Sequence, residues 1–239
     1  MVKERIAKII AQRSALSRRQ AEKAISDGRV HVNHDLLTTP AYNASPSDHI
    51  LLDHEPLKEI KPILVLYHKP VGLVCSHNPQ KGQKSIYTQL RDVHSPPDTF
   101  LRHIGRLDIN SEGLLLLTNC PKTATEIQRK PWKKTYKVRT QGIITNQNLQ
   151  TLTHIQRIDG IPITPMDIKL LRTTTSNSWS EWTLTEGRYR QIRVALEKIR
   201  SRASRIIRTQ YGPFTLPDIP PGHYHVMTTK VLQSALCSS

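Results

Sequence analysis

The sequence predicts an α+β chain in two parts: a small N-terminal αβ unit, residues 1–60, and a larger domain, residues 61–239, with a mostly antiparallel sheet. Three observations carry this. Short β-type runs outnumber helical ones in the second part, and the helices fall singly between them. A polar connector with two prolines, His54 to Pro62, separates stretches of different charge balance. No internal repeat at a fixed period is present that would call for a solenoid.

In the first unit, residues 4–12 are expected to form a short helix with Ile6, Ile9 and Ile10 on one side. Ser17-Arg18-Arg19-Gln20 reads as a capping box. The helix it opens places Ala21, Ala24 and Ile25 on one face, and Gly28 is its expected stop. Residues 29–33 and Ile50-Leu51-Leu52 read as strands. Residues 1–30 carry eight Lys or Arg against three acids, whereas residues 31–60 carry one Lys against five acids. Solvated helix faces usually mix both signs. Arg5, Lys8, Arg18, Arg19 and Arg29 are therefore candidate nucleic-acid contacts.

The larger domain opens on the strand Ile63 to Tyr67. His68-Lys69-Pro70-Val71-Gly72 is expected to break it, and Leu73-Val74-Cys75 to resume it. Residues 76–99 read as a mobile basic loop. A polar turn, His103 to Gly113, then runs into Leu114-Leu115-Leu116-Leu117-Thr118, a buried strand. Pro121 opens a short helix to Arg129. Residues 134–140 alternate as a strand, and residues 146–155 are expected to be helical. Residues 168–171 and 179–184 read as strands around a turn at 173–178. Residues 190–199 form an amphipathic helix with Ile192, Ala195, Leu196 and Ile199 as its apolar stripe. Strands through Ile206-Ile207 and Phe214-Thr215-Leu216, then a Pro-Pro-Gly turn at 220–222, lead to a C-terminal helix.

Charge narrows the partner. The chain has 239 residues and a formal net charge of +16, with 37% hydrophobic and only 5% aromatic residues. That balance supports an aliphatic core and favours a polyanion, RNA or DNA first. Residues 61–239 hold 26 basic against 11 acidic groups, and residues 186–208 hold eight against two. A groove lined this way would bind a phosphate backbone through salt-sensitive contacts. No apolar run approaches the ~20 residues that span a bilayer, so no membrane role is expected. The residues after Met1 lead into a charged helix rather than a secretion signal. Cys75, Cys120 and Cys237 are scattered and odd in number, which points to a reducing, cytoplasmic setting. His31 with His34, and His223 with His225, lack companion ligands, so no metal site is expected.

The sequence contains no second acid placed for a carboxylate pair, no glycine-rich phosphate loop and no Ser-His-Asp or Cys-His signature. What remains is Asp108 beside Arg106 at the mouth of a core strand, Tyr136 on a strand, and Arg193 at a helix start after Glu186-Gly187-Arg188. Taken alone, Arg106 and Asp108 equally describe a solvated surface pair. An Asp in so cationic a setting suits a nucleophile or base better than an acid.

The first unit resembles the S-four-type RNA-binding domain. The matching residues are Arg5-Ile6-Ala7-Lys8, Ser17-Arg18-Arg19-Gln20-Ala21-Glu22, Ile25, Gly28-Arg29-Val30-His31-Val32-Asn33 and Pro40. His34 stands where that domain has the glycine of an Asn-Gly turn. The whole chain resembles the RsuA-type ribosomal RNA pseudouridine synthases. This likeness rests on Lys69-Pro70-Val71-Gly72, Gly105-Arg106-Leu107-Asp108 with Ser111-Glu112-Gly113-Leu114-Leu115, Lys134-Thr135-Tyr136, Glu186-Gly187-Arg188-Tyr189-Arg190-Gln191-Ile192-Arg193, and Tyr211-Gly212-Pro213-Phe214-Thr215-Leu216.

The resemblance implies isomerisation of a uridine to pseudouridine in ribosomal RNA, on a nucleotide flipped out of its stack. It implies Asp108 as nucleophile and Arg106 as the residue that holds the nucleotide out. Tyr136 would stack on the base and assist proton removal. Arg193 would pair with Asp108, Leu107 and Ile192 would wall the pocket, and Arg188 and Arg190 would bind phosphate. It implies no cofactor and a ribosomal RNA or ribosome-assembly partner; no strong dimer patch is visible in the sequence, so a monomer is expected. The other readings are a non-catalytic RNA-binding or ribosome-assembly protein on the same fold, and a synthase acting on tRNA.

Overall fold

The computed structural model describes residues 3–14, 16–58, 61–92, 100–227 and 229–237. Its first unit begins with a two-residue strand, β1 (Glu4–Arg5), and not with a helix. These residues pair antiparallel with β4 (Asn43–Ala44), and the Ile6 amide bonds Tyr42 O, so α1 starts late and spans Ile6–Arg13. Helix α2 (Arg18–Ser26) has the expected capping box: Gln20 N–H donates to Ser17 Oγ at 3.3 Å, and Ser17 N–H to Gln20 Oε1 at 2.8 Å.

Strands β2 (Val30–Val32), β3 (Asp35–Leu37), β5 (Ile50–Leu52) and β6 (Glu55–Pro56) form a sheet in the order β3-β2-β5-β6. The two-residue turns Asn33-His34 (φ 52° and 80°) and Asp53-His54 (φ 54° and 66°) are both left-handed throughout. That is the primed geometry whose twist matches a hairpin. Histidine thus occupies a position usually given to glycine without changing the turn. Ile6, Ile10, Ala21, Ala24, Ile25, Val30 and Ile50 bury together between the helices and this sheet.

The larger unit is built on a mostly antiparallel sheet. Its path is β15 (Asp167–Thr173), β16 (Asn177–Leu184), β12 (Lys134–Gln141), β17 (Arg202–Tyr211), β11 (Glu112–Thr118), β7 (Leu64–Lys69) and β19 (Tyr224–Met227). Strand β10 (Arg102–Ile104) pairs with β11, and β18 (Phe214–Thr215) with β17. One neighbouring pair is parallel: Glu112 and Gly113 of β11 lie opposite Ile207 and Arg208 of β17. The chain is therefore an α+β protein.

Core alternation explains the Leu114–Leu117 run, because both faces of β11 are buried. Leu115 and Leu117 join Val65, Tyr67, Tyr136, Val138 and Trp182 on one face, under α3 (Ile86–Asp92), α5 (Asn146–Thr153) and α6 (Gln191–Glu197). Leu114 and Leu116 join Leu64, Leu66, Tyr211 and Phe214 on the other, under α4 (Pro121–Arg129) and α7 (Thr229–Cys237).

Four expectations need correction. Strand β7 does not break at His68; it continues through Lys69, because His68 and Lys69 still pair with Leu114 and Gly113. Residues 76–92 are not a loop. They hold β9 (Lys84–Ser85), paired in parallel with β8 (Leu73–Val74), and α3, which buries Ile86 and Leu90 against the sheet. Residues 93–99 of that expected loop lie outside the described residues. Helix α6 is shorter than expected, since Arg200 turns left-handed (φ 55°) and the Ser201 amide bonds back to Leu196 O. Strand β19 intervenes before the C-terminal helix, pairing with β7 from Tyr67 to Leu64. The short hairpin β13 (Arg157–Ile158) and β14 (Ile161–Pro162) completes the elements. No helix among the described residues is long and apolar enough to cross a membrane.

Candidate active site

A cleft of about 470 Å³ opens where the β10–β11 turn faces the start of α6. Asp108, Arg106, Leu107, Tyr136, Ile192, Arg193, Arg188 and Arg190 all line it. Three separate stretches of the sequence thus converge. The parallel β11–β17 pair brings the Asp108 turn beside β17, and β17 carries β12 with Tyr136 on its other side.

The Asp108 turn is held by its main chain. Five consecutive carbonyls, Leu107 to Ser111, each accept a hydrogen bond. Cys75 Sγ donates to Leu107 O at 3.4 Å. Lys69 Nζ donates to Asp108 O at 3.2 Å and to Ser111 O at 2.9 Å. Gly72 N–H donates to Ile109 O at 2.7 Å, with Gly72 itself left-handed at φ 86°. Arg193 donates to Asn110 O at 2.8 Å. A loop whose polar groups are paired this completely is preorganised. Its carboxylate is not used to hold it: the half-buried Asp108 side chain has no hydrogen bond or ion pair to any described residue.

Lys69 is the residue that sequence reasoning quoted without giving it a task. It is 0% exposed, and a third bond to Pro70 O at 2.9 Å satisfies all three of its donors. Burial pushes its ammonium down from 10.5 to about 8. The signal was legible: a lysine at the end of an apolar strand, followed by Pro-Val-Gly, is a cation carried into the core.

Arg193 does not form the expected ion pair with Asp108. Its guanidinium is engaged by two backbone carbonyls, Asn110 O and Ala203 O at 3.3 Å, which seat it under the turn rather than against the carboxylate. Burial, and then Arg190, lower its pKa, while Asp108 opposes them, so the two remain electrostatic neighbours. Its Nε is buried without a partner.

Tyr136 lies in the cleft wall, 8% exposed, with a β-bulge beside it where β12 meets β17. Bulges of this kind re-aim a side chain. Leu107 and Ile192 are buried walls. Arg106 is exposed and makes no bond to a described residue. Beside it, Tyr87 Oη accepts the His103 amide at 3.0 Å and bonds its Nδ1 at 2.7 Å; burial, then Arg106, lowers the His103 pKa.

The basic groove is less free than its residue count suggests. Arg188 bonds Glu186 at 3.0 Å, Arg205 forks onto Glu112, and Arg208 is 2% exposed with its Nε on Leu114 O at 2.7 Å. In the first unit, Lys8 pairs with Glu4, Arg5 bonds Ala41 O, Arg18 pairs with Glu22 at 3.2 Å, and Arg29 forks onto Asp53. Of the five cations expected to meet nucleic acid there, Arg19 alone has no partner among the described residues. Among the described residues no cluster of three or more His, Cys, Asp or Glu could hold a metal ion.

Residues 63–198 match the family model for RNA pseudouridylate synthase, and residues 4–50 match the S4 domain. The chain is 38% identical over 238 residues to a protein of Rickettsia prowazekii named an uncharacterized RNA pseudouridine synthase, covering 97% of each. It is 30% identical over 223 residues to the ribosomal large subunit pseudouridine synthase B of Salmonella typhi, covering 90% of this chain and 75% of that one. A solved structure titled as a pseudouridylate synthase superposes with a TM-score of 0.63 at 25% identity, covering 97% of this chain and 99% of its own.

Proposed function

Because the chain belongs to the RNA pseudouridylate synthase family, we propose that it isomerises a specific uridine to pseudouridine in ribosomal RNA, with Asp108 as the nucleophile. The ribosomal substrate is suggested by relatives named ribosomal large subunit pseudouridine synthase B. The observation that carries the catalytic reading is the Asp108 carboxylate itself. It has no partner among the described residues, is half-buried and lines the same cleft as Tyr136, on a turn whose five carbonyls are pinned. Such a group is preorganised for attack and needs no bond broken before it acts.

In the reaction the uridine N1–C1′ bond breaks and a C5–C1′ bond forms. The C5 proton leaves and N1 gains one, so no redox partner is required. The target must leave its stack to reach the cleft. Arg106, exposed and without a bond to any described residue, holds the displaced nucleotide. Tyr136 stacks on the base, and its hydroxyl assists removal of the C5 proton. Leu107 and Ile192 exclude water. Arg193 acts on Asp108 through the Asn110 carbonyl and through charge. Arg188 and Arg190 hold phosphate. Residues 1–60 are the RNA-binding domain and residues 61–239 the catalytic one, acting in the cytoplasm as a monomer.

Mapping pseudouridine in ribosomal RNA from cells with and without the gene tests this reading and names the uridine. Complementation with Asp108→Asn should restore no pseudouridine while the purified variant keeps its RNA affinity. Finding no site that is lost with the gene, or finding that Asp108→Asn restores it, refutes the reading.

A further inference from the structure

Twelve aromatic side chains (seven Tyr, two Phe, three Trp) occur in the sequence, and Tyr189 alone among them is exposed in the described residues. It is 75% exposed, whereas Tyr136 in the same cleft is 8% exposed. An aromatic ring left in water forgoes the burial that normally places it inside.

Nothing about its turn suggests that the ring is out by looseness. Gln191, only 3% exposed, pins the segment from within: its Oε1 accepts the Arg188 amide at 3.1 Å, and its own amide donates to Arg188 O at 3.3 Å. Glu186 completes the brace, accepting from Arg188 Nε at 3.0 Å and from the Thr164 amide at 2.9 Å. Arg190, next in the chain, takes a left-handed conformation (φ 50°), a strained choice for an arginine. The turn's main chain therefore carries Tyr189 at a defined place on the cleft lining, with Arg188 and Arg190 as its neighbours in the chain.

We propose that Tyr189 is a stacking platform for an unpaired nucleobase of the RNA substrate next to the flipped nucleotide. This rests on the reading of the cleft as the site of uridine isomerisation. The chemistry matches nucleic acid: an exposed π-face on a braced turn, next to Arg190 and Arg188 in the chain, holds a base by stacking and its phosphates by charge. Tyr136 in the wall and Tyr189 on the rim serve two different bases. Stacking tolerates any base, so Tyr189 supplies affinity and register, while sequence choice lies elsewhere.

The experiment compares wild type, Tyr189→Ala, Tyr189→Phe and Tyr189→Trp on unmodified ribosomal RNA of both subunits transcribed in vitro. Tyr189→Ala should raise KM about ten- to a hundredfold, with a much smaller effect on kcat. Phe and Trp should restore it, since stacking needs the ring and not the hydroxyl. Abasic nucleotides placed one at a time around the target should weaken wild type at one position and leave Tyr189→Ala insensitive there. An unchanged KM for Tyr189→Ala, or a Tyr189→Phe as impaired as Ala, overturns the stacking role. A wild type that forms no pseudouridine in any ribosomal RNA overturns the functional reading instead, so the two failures are distinct.

Discussion

The ammonium of Lys69 donates to the main-chain carbonyl of Asp108 at 3.2 Å, and it is fully buried while doing so. Its other two protons go to Pro70 O and Ser111 O, both at 2.9 Å. One cation thus ties the end of β7 to both ends of the Asp108 turn. Lys69→Met keeps the volume but leaves three carbonyls without that donor; Asp108 O keeps the Ser111 amide, and a buried one that finds no other costs about 1–3 kcal/mol. We expect a lower urea midpoint and a kcat reduced by about ten- to a hundredfold, with KM nearly constant. Wild-type kcat in a folded Lys69→Met would show that the turn holds Asp108 without it.

The same residue sets a pH signature with opposite effects on activity and stability. Burial depresses Lys69 in the folded protein from 10.5 to about 8. Between those values the unfolded chain binds the proton that the folded one has shed, so stability rises with pH across that window, by at most about 3 kcal/mol. Activity should move the other way. A neutral amine has two N–H donors for three carbonyls, so the turn loosens as pH passes about 8. The pH–rate profile of wild type should therefore show an alkaline limb that Lys69→Met lacks, while urea midpoints at pH 7.5 and 9.5 should increase in wild type only. Matching profiles for the two proteins would refute the assignment.

Arg193 reaches Asp108 indirectly, through Asn110 O at 2.8 Å, and braces itself on Ala203 O at 3.3 Å. A fork is needed to span both; a lysine can satisfy one. Arg193→Lys should lower kcat by about tenfold or more while RNA affinity moves far less. A direct ion pair would tolerate lysine better, because a point charge keeps most of the Coulomb attraction. Full activity of Arg193→Lys would therefore favour direct pairing in the RNA complex over backbone bracing.

Local signals were readable where local chemistry decides. The Ser17–Gln20 capping box, the Pro121 helix start and the Leu114–Leu117 strand all follow from nearest neighbours. The motif residues Asp108, Tyr136 and Arg193 do meet in one cleft. What the sequence concealed depends on pairings between distant segments. Arg208 and Arg205 look like free groove cations, yet one is buried on Leu114 O and the other is forked onto Glu112, 93 positions away. Nothing near Arg193 announces that two carbonyls will take its guanidinium. Strand β19 is four residues with no strong alternation, and only its pairing with β7 makes it a strand.

In the first unit, Arg29 is already forked onto Asp53, whereas Arg19 has no partner among the described residues. Exposed ion pairs contribute little to stability, but they divide a cation between protein and RNA. Arg19→Ala should reduce the slope of log Kd against log salt by just under one, the loss of a single phosphate contact. Arg29→Ala should change it less. A larger change at Arg29 would mean that RNA displaces Asp53.

Gly113 tests whether the parallel β11–β17 contact holds the site together. A Cβ there would lie 2.3 Å from Arg208 O and 2.7 Å from Arg208 N, both main-chain atoms that cannot swing aside, and φ is 102°. Gly72 is the natural control: it is also left-handed, at φ 86°, but a Cβ there meets nothing within 4 Å. Gly72→Ala should cost about 1–2 kcal/mol from backbone strain alone. Gly113→Ala adds the clash and should cost roughly 2–3 kcal/mol more, visible as a separation of the two urea midpoints. It should also lower kcat, because forcing β11 from β17 moves the Asp108 turn away from Arg193 and Tyr136. Equal midpoints for the two variants would mean that the strands can part without loss, and that the turn is positioned by Lys69 and Arg193 alone.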